Sequence, residues 1–281
     1  MKWLVKAFRL WRIYAWMDWV WLTRDFKFFF INYLADLVIS ASGVTLTLLM
    51  AERFAGIGPW SRDRIIFMLG YAMAVRGLAH SLFGFNVLHI SRRLGRGQLD
   101  HSLIQPQPLW LTLLTEGFTP FTGSGTIFAG LGLQIWAGFR LGLPWTGLWI
   151  GRWIVDSLLS VFIILLFSFA WGGLAFWAPR SAEEVSTAAN RLFERLQGFP
   201  LDGVGPGARV VLLTCLPVGL SAWYPAGALL ADRSEPAWPE GAWMAVLTAA
   251  FALLVFIIFK GGLNYYEQVG SKRYSGWGHR S

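Results

Sequence analysis

One cysteine, Cys215, occurs in 281 residues, so the chain cannot form an internal disulfide. Charge is scarce too: Asp, Glu, Lys and Arg make up 14% of the residues, against about 25% in a soluble domain. That is too few solvated side chains for a water-soluble globule, and a disordered chain needs more still. Histidine is rare, and His80, His89, His101 and His279 lack the spacing of metal ligands, so no metal site is expected. There is no G-x-x-x-x-G-K-[ST] loop to cradle phosphates and no G-x-S-x-G elbow. Gly203, Gly205 and Ala208 satisfy G-x-G-x-x-A, but they follow an amphipathic segment, whereas a dinucleotide site needs a strand there. No catalytic constellation emerges. The net charge of +8 has no soluble basic domain to carry it, which argues against nucleic acid.

What is abundant is apolar length. Hydrophobic residues make up 55% of the chain, and 17 of its residues are Trp. Six apolar stretches lie at 28–51, 65–88, 109–137, 148–177, 208–230 and 242–260. Each reaches or approaches the ~20 residues that cross a bilayer as a helix. The fold class expected is an all-α integral membrane protein with six transmembrane helices. Indoles suit the interfaces, and the positive charge suits anionic lipid headgroups.

Lys2, Lys6, Arg9 and Arg12 are spread over the first turns, unlike the clustered cations of a cleavable leader. At 100° per residue they share one arc, opposite Trp3, Leu4, Phe8 and Trp11. Residues 1–27 are therefore expected to form an amphipathic helix on the membrane surface. Residues 28–260 form the membrane domain and 261–281 a cytoplasmic tail. Lys and Arg gather before the first stretch, after the second and fourth, and after the sixth. The other side holds Arg53, Arg62, Arg64, Arg140, Arg152 and Arg233. Cations mark the cytoplasmic side, so both termini are expected there.

Two connections, 90–108 and 179–200, are expected on the cytoplasmic side. In the second, Ser181 and Glu184 have capping-box spacing. Val185, Ala189, Leu192, Leu196 and Phe199 repeat as one helical stripe, expected to rest on the membrane or on a partner. Pro217 and Pro225 should kink the fifth stretch or interrupt it. Inside the membrane, Asp36 and Arg76 lie at similar depths on neighbouring stretches, and a structural ion pair is expected. Arg152 and Asp156, four apart, should pair along one helix. Glu116 has no partner readable from sequence.

The first connection reads Arg96-Gly97-Gln98-Leu99-Asp100-His101-Ser102-Leu103-Ile104-Gln105-Pro106. It resembles the R-G-x-[LI]-D-x-x-L-[LI]-x-P stretch of membrane subunits of type-2 ATP-binding-cassette exporters, in a largely uncharacterised bacterial branch. The tail agrees: Tyr266, Gly270, Ser271 and Tyr274 match that branch's closing Y-x-x-x-G-S-x-x-Y. Gln105 departs from the Arg that is common before the proline.

The resemblance implies a permease subunit for export across the bacterial cytoplasmic membrane. Two permeases, identical or paralogous, would surround one pathway. Separate ATPase subunits would hold ATP and Mg, leaving no cofactor on this chain. Segments 90–108 and 179–200 would be cytoplasmic coupling segments, and Arg96, Gly97, Leu99, Asp100, Leu103 and Pro106 would form the element that couples permease to ATPase. A membrane-embedded lipid-modifying enzyme would need catalytic groups at one depth, and a secondary carrier an inverted repeat. Neither pattern is found. The apolar, aromatic interior points to a hydrophobic or amphipathic cargo.

Overall fold

The computed structural model describes residues 2–53, 58–95, 97–231 and 238–269, which are almost wholly helical with no strand among them. In chain order the helices are α1 (Lys2–Arg24), α2 (Phe26–Arg53), α3 (Arg62–Gly95), α4 (Leu99–Leu103), α5 (Leu109–Thr115) and α6 (Ser124–Arg140). They continue as α7 (Gly147–Gly173), α8 (Pro179–Leu196), α9 (Pro206–Thr214), α10 (Val218–Ser221), α11 (Trp223–Leu230) and α12 (Trp238–Val269). Three stretches, Arg62–Leu94, Gly147–Phe176 and Ala242–Val269, are long and apolar enough to cross a membrane.

Helix α3 is the central post. Residues 65–75 along it are all buried, and α6, α7 and α8 pack around it. Lipid tails are as apolar as Leu, so close packing, not water expulsion, holds such helices together. Glycine makes the approach possible. A Cβ on Gly70 would stand 2.7 Å from the Gly130 carbonyl, and one on Gly77 2.8 Å from the Ile127 amide. This seam joins α3 to α6. Gly138 instead receives the Trp145 ring, and Gly142, at φ +64°, makes the turn after α6.

The stretch 109–137 is not one helix. Glu116 is extended at ψ 132° and Gly117 has φ 84°, so α5 stops and α6 starts anew. Helix α1 packs lengthwise along this broken stretch. Lys6 Nζ reaches the Pro106 carbonyl at 3.5 Å, and Trp11 Nε1 donates to Leu114 at 3.4 Å. Buried Asp18 accepts from the amides of Phe121 and Thr122 at 2.8 and 3.1 Å, and from the Thr122 hydroxyl. The carboxylate satisfies two backbone amides of the turn that precedes α6, groups that are costly to leave unpaired away from water. The expected surface helix is thus fastened to protein along one face, with Trp3, Leu4 and Phe8 left exposed.

The fifth apolar stretch also departs from expectation. Leu216 N bonds to Val211, and Pro217 precedes α10, so the chain reverses between α9 and α10. Both ends of the resulting hairpin lie beside Trp60, close to the Arg62 end of α3. Asp202 accepts from the indole N–H groups of Trp60 and Trp223, the latter at 2.7 Å. A cavity of about 370 Å³ is bordered by Trp60, Arg64, Asp202, Trp223 and Ala231. At the deep end, Ser160 of α7 lies 3.1 Å from the Tyr71 hydroxyl and donates to the Leu220 carbonyl at 3.4 Å. Tyr71 is nine residues along α3 from Arg62, or about 13 Å at 1.5 Å per residue. Residues 202–231 therefore enter and leave at one end of the bundle and do not span it.

Helix α8 packs on α3 and α7 instead. It runs antiparallel to α3: Glu183 pairs with Arg92 at 2.8 Å, and Glu194 with His80 at 3.9 Å. Further on, Asp202 meets Trp60. On α7, Asn190 accepts from Ser168 at 3.1 Å, and Phe193 packs on Phe167 with ring centroids 4.6 Å apart. So 179–200 leaves the Gly95 end of α3 and heads for the other end, where the sequence reading kept it beside the first connection. Its buried face is Ala182, Ser186 and Phe193. The expected stripe is displaced: Val185 and Leu192 are exposed, and Leu196 is half-buried. Hydrophobicity misled there because the buried face, Phe193 apart, uses small and polar residues.

Cysteines introduced one at a time at Gly203, Ala231 and Leu103, with Cys215→Ala, check this path. A membrane-impermeant thiol reagent should reach the first two positions from one side and Leu103 from the other. If residue 208–230 crossed the membrane, Gly203 and Ala231 would be labelled from opposite sides.

Candidate functional site

The connection after α3 is a knob built around Gly97. The Gly97 amide donates to Leu94 at 3.2 Å, and the Gln98 amide to Arg93 at 3.0 Å. This pair of bonds closes a helix C-terminus around a left-handed residue. Gly97 has φ 68°, which a side chain makes costly. The chain then turns into α4, with Asp100 in its first turn.

Residues of the knob divide by direction. Leu99 is wholly buried and packs with Ile90, Leu94, Leu113, Phe176 and Tyr266. Asp100 accepts from the Tyr266 hydroxyl at 2.5 Å. The two sequence motifs, 166 residues apart, therefore meet in one hydrogen bond. A bond to a charged group contributes about 1.5–3 kcal/mol, and half-burial of Asp100 favours the lower part of that range. Leu103 and Ile104 face outward at 41% and 79% exposure, and Pro106 is exposed beside them. Arg96, Gly270, Ser271 and Tyr274 lie outside the described residues.

Behind the knob sits a residue that the sequence reading counted only as a charge. Arg93 is 4% exposed. It donates to Ser102 of α4 at 2.5 Å and to the Asn86 side-chain oxygen at 3.4 Å, and it pairs with Glu116. Asn86 in turn donates to the Leu113 carbonyl. One guanidinium thus binds the end of α3, the knob and the break between α5 and α6. Glu116, which had no readable partner, is one arm of this hub. The clue was available: Arg93 and Asn86 are seven apart, on one face of a helix.

The expected pair of Asp36 with Arg76 falls partly outside the described residues. Arg76 is half-buried on α3, whereas the side chain of Asp36 lies outside the described ones. Arg152 and Asp156 pair within α7 at 3.5 Å. No cluster of metal-ligating side chains occurs among the described residues.

Replacing Arg93 with Met strands Glu116 and Ser102. Loss of one partner of a buried pair costs about 3–5 kcal/mol, and the 31% exposure of Glu116 lowers the expected figure to about 2–3 kcal/mol. Thermal unfolding of the detergent-solubilised protein should show a clear drop for Arg93→Met and partial recovery when Glu116→Leu is added. Equal stability of Arg93→Met and the native chain would contradict the hub.

Residues 37–270 match the family model described as ABC-2 family transporter protein. No curated protein and no solved structure matches significantly. With five-sixths of its length inside that match, the chain belongs to the ABC-2 transporter family and is a multi-pass membrane protein of an ABC transporter.

Proposed function

We propose that this chain is the permease subunit of an exporter, driven by a separate ATPase that docks on the knob formed by 96–108. The observation that carries the reading is the knob's division of labour. Its inward residues, Leu99, Asp100 and Ser102, are bound to α3, α5 and α12, while Leu103, Ile104 and Pro106 offer an exposed apolar tip. An apolar tip on a polar surface marks a protein contact. Family membership implies an ABC ATPase as the partner.

Sidedness follows from charge. Arg92 and Arg93 lie at the knob's end of α3, Arg180 opens α8 near that end, and the N-terminal cations approach it through Lys6 and Pro106. Cations favour the cytoplasmic side, so the knob and both termini face the cytoplasm of a bacterial cell, and the hairpin 202–231 faces out. A second permease, identical or paralogous, completes the pathway. Closure of the ATPases around nucleotide shifts the permease between conformations that they bind with different affinity. ATP and Mg stay on the partner.

Export of the complex in mild detergent should bring a roughly stoichiometric ATPase with the chain. Ile104→Asp should lower that recovery at least ~ten-fold without loss of membrane insertion, because a charge is buried in the contact. Tyr266→Phe should leave docking intact and reduce cargo-stimulated ATP hydrolysis. Undiminished recovery of the ATPase with Ile104→Asp would exclude the knob as the docking site.

A further inference from the structure

We propose that the exposed face of α8 lines a water-filled pathway and holds the anionic headgroup of an amphiphilic cargo. This deepens the permease reading and rests on it.

Depth is fixed by α3. It has 34 residues and bends at Phe83, and at least about 20 of them fill the hydrocarbon layer. Any such window along α3 includes residues 76–81, at its inner edge or deeper. His80 is among them and meets Glu194 at 3.9 Å. Helix α8 thus passes through the layer at Glu194, with Arg195 next to it and Arg191 one turn away.

Opposite its buried face, α8 exposes Glu184, Thr187, Ala188, Arg191 and Arg195. At 100° per residue these share an arc of about 100°. Guanidinium groups at such depth face a water-filled cavity or a partner, not acyl chains. In two copies related by an axis along the membrane normal, these arcs run the same way. Like charge then faces like charge, which holds the arcs apart around water.

The sign is cationic. Glu183 and Glu194 turn onto α3, where Arg92 and His80 meet them. Glu184 is about two turns from Arg191 and three from Arg195, at the knob's end. Half-buried Arg76, one turn from His80 on the α3 face that meets α8, adds a further cation at this level. Val185 and Leu192, 43% and 47% exposed, form an apolar strip along one border of the arc. Adjacent cationic and apolar strips match a molecule with an anionic head and an apolar chain. A small soluble anion makes no use of the second strip.

The test places a thiol on the arc, Ala188→Cys with Cys215→Ala, in membranes carrying the chain and its companion subunits. Thr187→Cys, on the same arc, serves if the first variant does not insert. Two methanethiosulfonates are compared, one bearing a sulfonate and one a trimethylammonium group. Corrected for their rates with a free thiol, the anionic reagent should be favoured about ten-fold. Arg191→Gln with Arg195→Gln should abolish that preference. Dodecyl phosphate below its micellar concentration should slow labelling, and inorganic phosphate or dodecyl maltoside should not.

No labelling, either without nucleotide or with ATP, overturns the proposal, as does labelling without preference for the anion. Protection by inorganic phosphate equal to that by dodecyl phosphate replaces the amphiphile with a soluble anion and also overturns it. Recovery of the ATPase is scored separately. A complex that hydrolyses ATP yet leaves the thiol unlabelled defeats this inference alone.

Discussion

A guanidinium that has left water must be met on every side, and Arg93 is met by Ser102, Asn86 and Glu116. In a medium of low dielectric constant each of those partners is far harder to give up than at a surface. The position of the knob depends on this. Gly97 turns the chain, but Arg93 decides where the turned chain rests, and it holds the break between α5 and α6 to the same spot. On the opposite side Tyr266 fixes Asp100 to α12. Two long helices, α3 and α12, and the short α5 therefore meet on a segment of about a dozen residues. A push on Ile104 is transmitted to α3, α5 and α12 together, with no flexible linker between them among the described residues.

The same rule about charge shapes the rest of the bundle. On the proposed crossing, helix α8 accommodates its Arg and Glu because they are divided by direction. Small residues face α3 and α7, two glutamates are spent on Arg92 and His80, and the remaining cations share one arc. The hairpin α9–α11 needs no such arrangement, since it enters and leaves at one end. Its short helices are apolar, and the carboxylate at its mouth, Asp202, is held by two indole N–H groups. An apolar segment of span length thus turns back, and a polar one runs antiparallel to α3 in its place.

That inversion explains how much was legible in the sequence. The all-helical membrane class and the pairing of Arg152 with Asp156 followed from composition and spacing, and the connection after α3 stood out by its resemblance to a family motif. Helix α8 was hidden, because hydropathy identifies crossings that face lipid and α8 faces protein and an arc of charge. Its apparent apolar stripe, Val185 and Leu192, was real but not the buried one. The hairpin was hidden for the converse reason: 208–230 has the length and apolarity of a span, and Pro217 gave the one local sign of reversal. The hub around Arg93 joins residues 86, 93, 102 and 116, and the tie of Asp100 to Tyr266 joins positions 166 apart. Contacts of that range are set by packing, which no local pattern records.

The knob and the Tyr266 end of α12, tied by one hydrogen bond, should move as one body. Spin labels on Leu103 and Glu267 read this directly, through the distance distribution between them with and without ATP in the assembled transporter. One narrow distance, unchanged by nucleotide and broadened by Tyr266→Phe, is the predicted result. A distance that shifts with nucleotide in the native chain, or a distribution that Tyr266→Phe leaves untouched, would contradict it.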